Sequence, residues 1–343
     1  MIYFSIFSLL SLFSFFSLKP NKISHFIFFT FILFLLFFVG FRYKIGCDWG
    51  NYVVMFDAIN KNLTSTDFGY NIINILAYKM DFDIVCVNFL CAILFFYCVF
   101  FFLSKMNYPL VGLTILFPYT IVVVSMGYTR QSVAIGFAMI AIYYIVYKFN
   151  SLKFILFLFL AFLFHKSSIF LILFLPFLYL KKMKLKSKYF YILIGLSLLI
   201  IIYIFKNYYL HIKNIYLSGM VFSAGALPRL FIHLLPVFIY LIYKKKYTNL
   251  NINFLNFASL FILFSMPISF FYSTIVDRLN LYFIVFDIIV LDRFMYCLKF
   301  KSKIIFLFFI IVINFLILYV WYNYSFYANT CWKPYQNYLQ EML

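Results

Sequence analysis

The stretch Phe26–Tyr52, FIFFTFILFLLFFVGFRYKIGCDWGNY, decides how this chain is read. From Phe26 to Gly40 the only polar side chain is Thr30; Arg42, Lys44 and Asp48 then follow at once. A soluble helix of that length needs a polar stripe, and this one has none. At 1.5 Å per residue a run of about 20 residues matches the roughly 30 Å hydrocarbon core of a bilayer. The stretch therefore reads as a membrane helix that delivers a polar loop to one face.

The rest of the chain repeats the pattern. Of its 343 residues, 67% are hydrophobic and 11% charged, which excludes a soluble domain whose surface must be largely polar. The net charge of +19 is read as Lys at cytoplasmic helix ends rather than as a nucleic-acid footprint. Apolar runs lie near 1–18, 23–41, 84–103, 108–126, 132–149, 152–164, 168–180, 189–205, 229–243, 254–271, 278–291 and 303–321. These runs predict an all-α polytopic membrane protein with about twelve transmembrane helices, 1–343 forming a single membrane domain. Residues 1–18 lack a basic leader and a small-residue cleavage site, so they read as the first span. Residues 42–83 form the first extracytoplasmic loop, with a short interfacial helix over 69–79, and 206–228 form the second. The Lys-rich breaks at 181–188 and 244–246 and the basic stretch at 293–303 share one side, cytoplasmic by the positive-inside rule. Both termini then lie outside, and the Tyr- and Trp-bearing tail 322–343 suits an interfacial belt.

Residues 152–180 admit one long helix or two short arms. The two-arm reading is preferred, because a single helix would set His165 and Lys166 at the bilayer centre, where a charge costs about 2.5–3.5 kcal/mol or more. Cys86, Cys91 and Cys98 read as small hydrophobes. Cys47 and Cys331 could both face the exterior, so a disulfide between them is possible, though free thiols are the default expectation for the pair. Scattered His residues without an HExxH pattern give no metal site.

Polar residues interrupt the apolar background at few places. The first loop carries Arg42, Lys44, Asp48, Trp49 and Tyr52, then Asp67, Tyr70 and Asn74. Beyond it come Arg130-Gln131, His165-Lys166-Ser167-Ser168 and Asp277-Arg278 with Tyr282. In the twelve-span arrangement all open on one face. Arg offers a planar fork to phosphate and never deprotonates. Arg130 and Arg278 are each expected at the first turn of a helix, where free N–H groups also favour an anion. Asp48 and His165 are candidate general bases. Trp49, Tyr52 and Tyr70 could stack on sugar rings. Each also has an ordinary reading: snorkelling Arg, a capping Asp48, a core His165. Asp287 reads as a structural hydrogen bond or a partner of a nearby Lys or Arg.

These pieces resemble the bacterial polysaccharide polymerases, the Wzy-type O-antigen and EpsG-like exopolysaccharide family. The resemblance rests on R-x-x-x-G-x-D-W-x-x-Y at Arg42–Tyr52 and the acidic-x-G-Y-x-x-x-N element at Asp67–Asn74. Arg130–Gln131, H-x-S at His165–Ser167 and R-x-x-x-Y at Arg278–Tyr282 complete it. Asp67 departs from the family, which more often has Glu there. The resemblance implies a fold similar to the C-type membrane glycosyltransferases. It implies an enzyme that joins undecaprenyl-diphosphate-linked oligosaccharide repeats into O-antigen, capsule or exopolysaccharide on the outer face of the bacterial inner membrane. No nucleotide sugar, bound metal or other cofactor is implied. Expected partners are the lipid-linked oligosaccharide and the bilayer, with a flippase and chain-length regulator nearby, and no nucleic acid. Asp48, His165, Arg130 and Arg278 would be catalytic; Arg42, Trp49, Tyr52, Tyr70, Gln131 and Tyr282 would bind substrate. A flippase for the same lipid-linked glycan, or a glycan ligase, is the alternative. A flippase would show internal repeats and charges reachable from both faces; an acyltransferase using His165 is more distant.

Overall fold

A computed structural model describes residues 1–19, 21–176, 187–206, 223 and 225–341. The expected break at 181–186 and most of the second loop, 207–222, lie outside the described residues. The described chain is helical, with one isolated bridge between Arg42 and Asn337 and no strands. Five helices are long and apolar enough to cross a membrane: Lys22–Gly40, Ile84–Leu103, Thr129–Lys148, Ile252–Ser269 and Phe300–Tyr324. The shorter apolar helices Ile2–Phe16, Pro109–Ser125, Ser151–Phe164, Tyr191–Tyr203 and Ala226–Ile242 fall on other expected runs. The protein is an all-α polytopic membrane protein.

In chain order the helices are α1 (Ile2–Phe16), α2 (Lys22–Gly40), α3 (Trp49–Asn60), α4 (Phe68–Lys79), α5 (Ile84–Leu103) and α6 (Pro109–Leu116). Then come α7 (Thr129–Tyr143), α8 (Ser151–Phe164), α9 (Ser187–Lys206), α10 (Ala226–Ile242), α11 (Ile252–Ser269) and α12 (Ser273–Asn280). The last are α13 (Ile284–Tyr296), α14 (Phe300–Tyr324), α15 (Phe326–Cys331) and α16 (Tyr338–Glu341). The first loop is more ordered than its composition suggests. Besides the expected helix near 69–79, found at Phe68–Lys79, residues Trp49–Asn60 form a helix of 12 residues.

The chain divides into two compact units. The first comprises Met1–Phe137, Leu160–Lys166 and Leu298–Leu343; the second comprises Ala138–Phe159 and Ser167–Cys297.

In the first unit, α6 runs into a widely wound segment, Phe117–Ser125. Pro118 explains it. A proline has no N–H to give to the preceding turn, and its ring crowds the carbonyl four residues back, so the helix opens there. The Ser14 and Thr114 hydroxyls bond at 2.8 Å, tying α1 to α6 inside the apolar interior. A strap closes the C-terminal end of α2. Tyr43 N–H donates to the Gln336 carbonyl at 3.0 Å, Tyr338 N–H to Phe41 at 2.8 Å, and the Tyr335 hydroxyl to Phe38 at 2.7 Å. Cys47 and Cys331 form a disulfide across 284 residues of sequence, against the default of free thiols. The tail is not an interfacial fringe throughout: Trp332 is buried and donates Nε1–H to the Val122 carbonyl at 3.0 Å.

The disulfide gives a direct test. A membrane-impermeant maleimide is expected to reach neither Cys47 nor Cys331 until the protein is reduced, although both positions are exposed or half-buried. Losing the cross-link should cost about 2–4 kcal/mol, read as earlier thermal loss of the Cys47→Ser variant. Labelling of Cys47 without reductant would show that the pair does not form.

In the second unit the path of the chain before α8 and after Lys166 can be followed. Asn251 N–H donates to the Val146 carbonyl at 3.1 Å and its Nδ2 to Ile145 at 3.3 Å. The start of α11 therefore lies beside the turn at Phe149, a left-handed residue (φ 51), which launches α8. The tightly wound segment Lys166–Phe174 begins with the Ser167 hydroxyl 3.1 Å from that of Tyr282. It then places Phe170 against Phe261, and Phe174 at 4.7 Å from Phe254, three residues after Asn251. It thus returns toward the end α8 left, and the chain reverses around His165. The segment after His165 is wound more tightly than an α-helix.

Candidate functional site

The loop after α2 is built around Arg42, which is only 1% exposed. Its guanidinium makes four hydrogen bonds: Nε to the Met126 carbonyl (2.9 Å), Nη1 to Val39 (2.9 Å), and Nη2 to Asn88 Oδ1 (2.8 Å) and Thr129 Oγ1 (2.6 Å). Four of its five N–H groups are spent inside the protein. Burial pushes the guanidinium down to about 10, which leaves it charged at neutral pH. The Val39 contact sets this cation on the carbonyl end of α2, where the helix dipole favours it. Arg42 therefore braces the site, and the geometry offers it nothing from solvent to bind. Gly46 completes the brace. It has φ +96, and a Cβ there would stand 2.6 Å from the Met126 carbonyl oxygen, so only glycine fits the R-x-x-x-G spacing.

Arg130 occupies the first turn of α7, as its sequence position implies. Its Nη1 donates to Asp67 Oδ2 at 3.0 Å, with Asp67 only 6% exposed at the side chain and Arg130 26%. His165 Nδ1 lies 3.9 Å from that same carboxylate oxygen, beyond hydrogen-bond range. Asp67 precedes α4 but does not cap it; its side chain turns to Arg130 instead. Gly69 makes the approach possible. A Cβ at Gly69 would meet the Phe164 ring at 2.9 Å, so glycine lets α4 close on the end of α8 that carries His165. The D-x-G-Y element thus acts as one unit: Asp67 pairs with Arg130, Gly69 gives clearance, and Tyr70 packs on the guanidinium.

The Arg130 guanidinium lies 6.0 Å from the Tyr52 ring centroid and 5.8 Å from that of Tyr70, inside cation–π range. Both rings are buried, and burial pushes both phenols above their ordinary range, with Arg130 pulling the other way. The Tyr52 and Tyr70 rings face Arg130 rather than solvent, so they shape and desolvate the cation. Trp49 is half-buried with its ring edge-on to Tyr43. Gln131 is buried at 3%. Three buried polar atoms around Arg130 have no hydrogen-bond partner in the protein: its own Nε, the Tyr70 hydroxyl and Asn74 Oδ1.

In front of Arg130 is a cavity of about 450 Å³, lined on its polar side by Asp48, Asn51, Tyr52, Thr64 and Thr66. That size is within the range of small-ligand sites. Asp48 stands half-buried at the start of α3, one turn from Tyr52, and accepts a long hydrogen bond from Asn51 (3.4 Å). Thr66 is held by Asn71, whose Oδ1 accepts from both its N–H and its hydroxyl.

Arg278 and Tyr282 belong to the second unit. Arg278 is not at a helix start, contrary to the expectation. It is near the end of the eight-residue α12, which leads through the turn Leu281–Phe283 into α13. The dipole assistance expected there is therefore absent, since the free N–H groups of α12 lie at Ser273. Tyr282 is fully buried against Phe170 and Ser167. Sequence reading passed over two pairs in this unit. Arg229 donates Nε–H to Asp277 Oδ1 at 2.6 Å and a second hydrogen bond to Oδ2. His233 Nδ1 lies 2.6 Å from Asp287 Oδ2. Asp287 is thus paired, though with a histidine and not with a Lys or Arg. The signal available was the i, i+4 spacing of Arg229 and His233 within an apolar run. Among the described residues no group of three or more potential metal ligands is found.

The profile of the EpsG family matches residues 25–337. No curated protein and no solved structure matches the chain. The match spans the loop braced by Arg42, the Asp67–Arg130–His165 cluster and both pairs of the second unit. This chain belongs to the EpsG family.

Proposed function

We propose that this protein is a membrane glycosyltransferase that polymerises polyprenyl-diphosphate-linked oligosaccharides into a surface polysaccharide. Family membership supports polysaccharide polymerisation in general terms. The single observation that carries the finer reading is Arg130. Its guanidinium is mostly withdrawn from water, held by one carboxylate and two aromatic faces, and set at a helix start beside a polar cavity. A diphosphate leaving group needs such a cation: positioned beforehand, desolvated, and able to bond two oxygens at once. In this reading Asp48 orients hydroxyls of the incoming saccharide in the cavity. His165, which follows α8 and lies near the Asp67–Arg130 pair, hydrogen-bonds the phosphoryl oxygens. Arg278 is a candidate cation of the second unit.

The reading places the cavity on the exterior face. Disulfides persist in oxidising compartments, and Cys47 is the neighbour of Asp48. Lys244, Lys245 and Lys246 mark a cytoplasmic end by the positive-inside rule.

Deleting the gene is expected to leave surface glycan of single repeats and abolish the ladder of longer chains on a gel. Loss of the single-repeat species as well would replace this reading by a flippase. An unchanged ladder on the lipid intermediate with no transfer to its final acceptor would indicate a ligase.

A further inference from the structure

The strap that holds the loop before Asp48 makes a further contact, at the start of α7. Trp332 is only 3% exposed, and its indole N–H is spent on the Val122 carbonyl. The Trp332 carbonyl accepts from the Tyr3 hydroxyl at 3.3 Å, and the Trp321 ring stands edge-on to the indole, 5.3 Å between centroids. Held in this way, the indole has little freedom to swing. Its outer edge lies on Gly127. A Cβ at Gly127 would stand 2.9 Å from Cη2 and 3.0 Å from Cζ2 of that ring. Gly127 does not have a positive φ, so the close approach and not the backbone conformation calls for glycine.

Gly127 comes just before α7, whose first turn carries Arg130. Where the indole sits therefore sets where that turn begins. Cys331, the neighbour of Trp332, holds the other charged group of the cavity. Its carbonyl accepts the Gly46 N–H at 2.9 Å, and its sulfur is bonded to Cys47, next to Asp48. The two anchored segments also meet each other: Gly46 packs on the Met126 carbonyl, and Arg42 Nε donates to the same oxygen. Asp48 and Arg130 both line the cavity. An interfacial tryptophan that only steadied the fold could rest on any apolar face. This one, with its neighbour, reaches the backbone just before both charged residues of the lining.

We propose that Trp332, together with Cys331, is a positioning residue of this site: it fixes Asp48 and Arg130 relative to one another. This rests on the reading given above, in which Arg130 takes the diphosphate and Asp48 the incoming saccharide. The two parts of the substrate are then in register only while the strap is seated. A misplacement of about 1 Å in a reacting pair can cost roughly a hundredfold in rate, so a small shift of the indole is enough to matter.

The test uses the tight contact itself. In membranes carrying the lipid-linked repeat, Gly127→Ala should slow polymerisation per molecule about tenfold or more, because the new methyl displaces the ring or the start of α7. Adding Trp332→Phe, which removes the two ring atoms that the methyl meets, should recover most of that loss. The loss should fall on kcat and leave KM for the lipid-linked repeat little changed, since each group still binds its part of the substrate. A merely structural tryptophan would lower abundance and leave both constants per molecule as they were, which would overturn the proposal. Equal slowing in the single and double variants would overturn it too, because the indole would then not be what the methyl disturbs. If Gly127→Ala fails to accumulate, the unaltered protein decides. A water-soluble phosphine that opens Cys47–Cys331, shown by maleimide labelling of both thiols, should slow polymerisation about tenfold while the protein is still folded by its thermal transition. An unchanged rate after complete reduction would overturn the proposal. Failure of the polymerase reading appears separately, as loss of single repeats on gene deletion, and would withdraw this inference with it.

Discussion

Replacing Arg130 by alanine is expected to abolish polymer formation while the protein still accumulates in the membrane. The side chain is 26% exposed, so its loss empties part of a wet cavity rather than the core. The cost falls on the reaction: removing one positioned donor from a developing anion costs roughly a hundredfold or more in rate. Arg130→Lys should rescue poorly. Lysine offers a point charge in place of a fork, and it loses the flat face that lies on Tyr52 and Tyr70. The measurement is ladder length and amount on a gel, normalised to protein abundance. Full activity in the Lys variant would show that the fork is not used and would withdraw the diphosphate clamp. Asp67→Asn is a useful companion. It keeps an acceptor for Arg130 but removes the counter-charge, so it should weaken polymerisation less than loss of the cation.

Arg42→Ala is expected to fail differently, by loss of the protein itself. Its guanidinium bonds the Val39 and Met126 carbonyls, Asn88 and Thr129, and it has no access to the cavity solvent. Alanine would strand these acceptors in a space that water enters poorly. Breaking a buried, fully bonded charge typically costs about 3–5 kcal/mol, a large part of the stability of an ordinary domain. The expected readout is low abundance and early thermal aggregation in detergent, with Arg42→Lys little better because it reaches fewer of the four acceptors. Normal abundance with lost polymerisation would instead return Arg42 to the substrate side. Arg42 and Arg130 are thus separated by the kind of damage each causes, although a sequence presents them alike.

The apolar runs alone determined the helical membrane architecture. Transfer of such runs out of water dominates every competing term, and it depends on composition rather than on partners. The helix over Phe68–Lys79, the position of Arg130 at a helix start and the polar bend at His165 were legible for the same reason: local pattern fixes them. Pairing was not legible. Arg42 and Arg130 have the same chemistry, and only the packing of α2 against α5 and the segment before α7 buries the first and leaves the second at a cavity. Arg278 looked like a helix start because the apolar run 278–291 begins there, but α12 begins earlier, at Ser273. The Cys47–Cys331 disulfide joins residues 284 apart, a separation over which no sequence pattern carries distance. Asp287 and His233 meet only because α10 and α13 pack side by side. Burial and long-range hydrogen bonds are properties of neighbours, and neighbours are decided by tertiary structure.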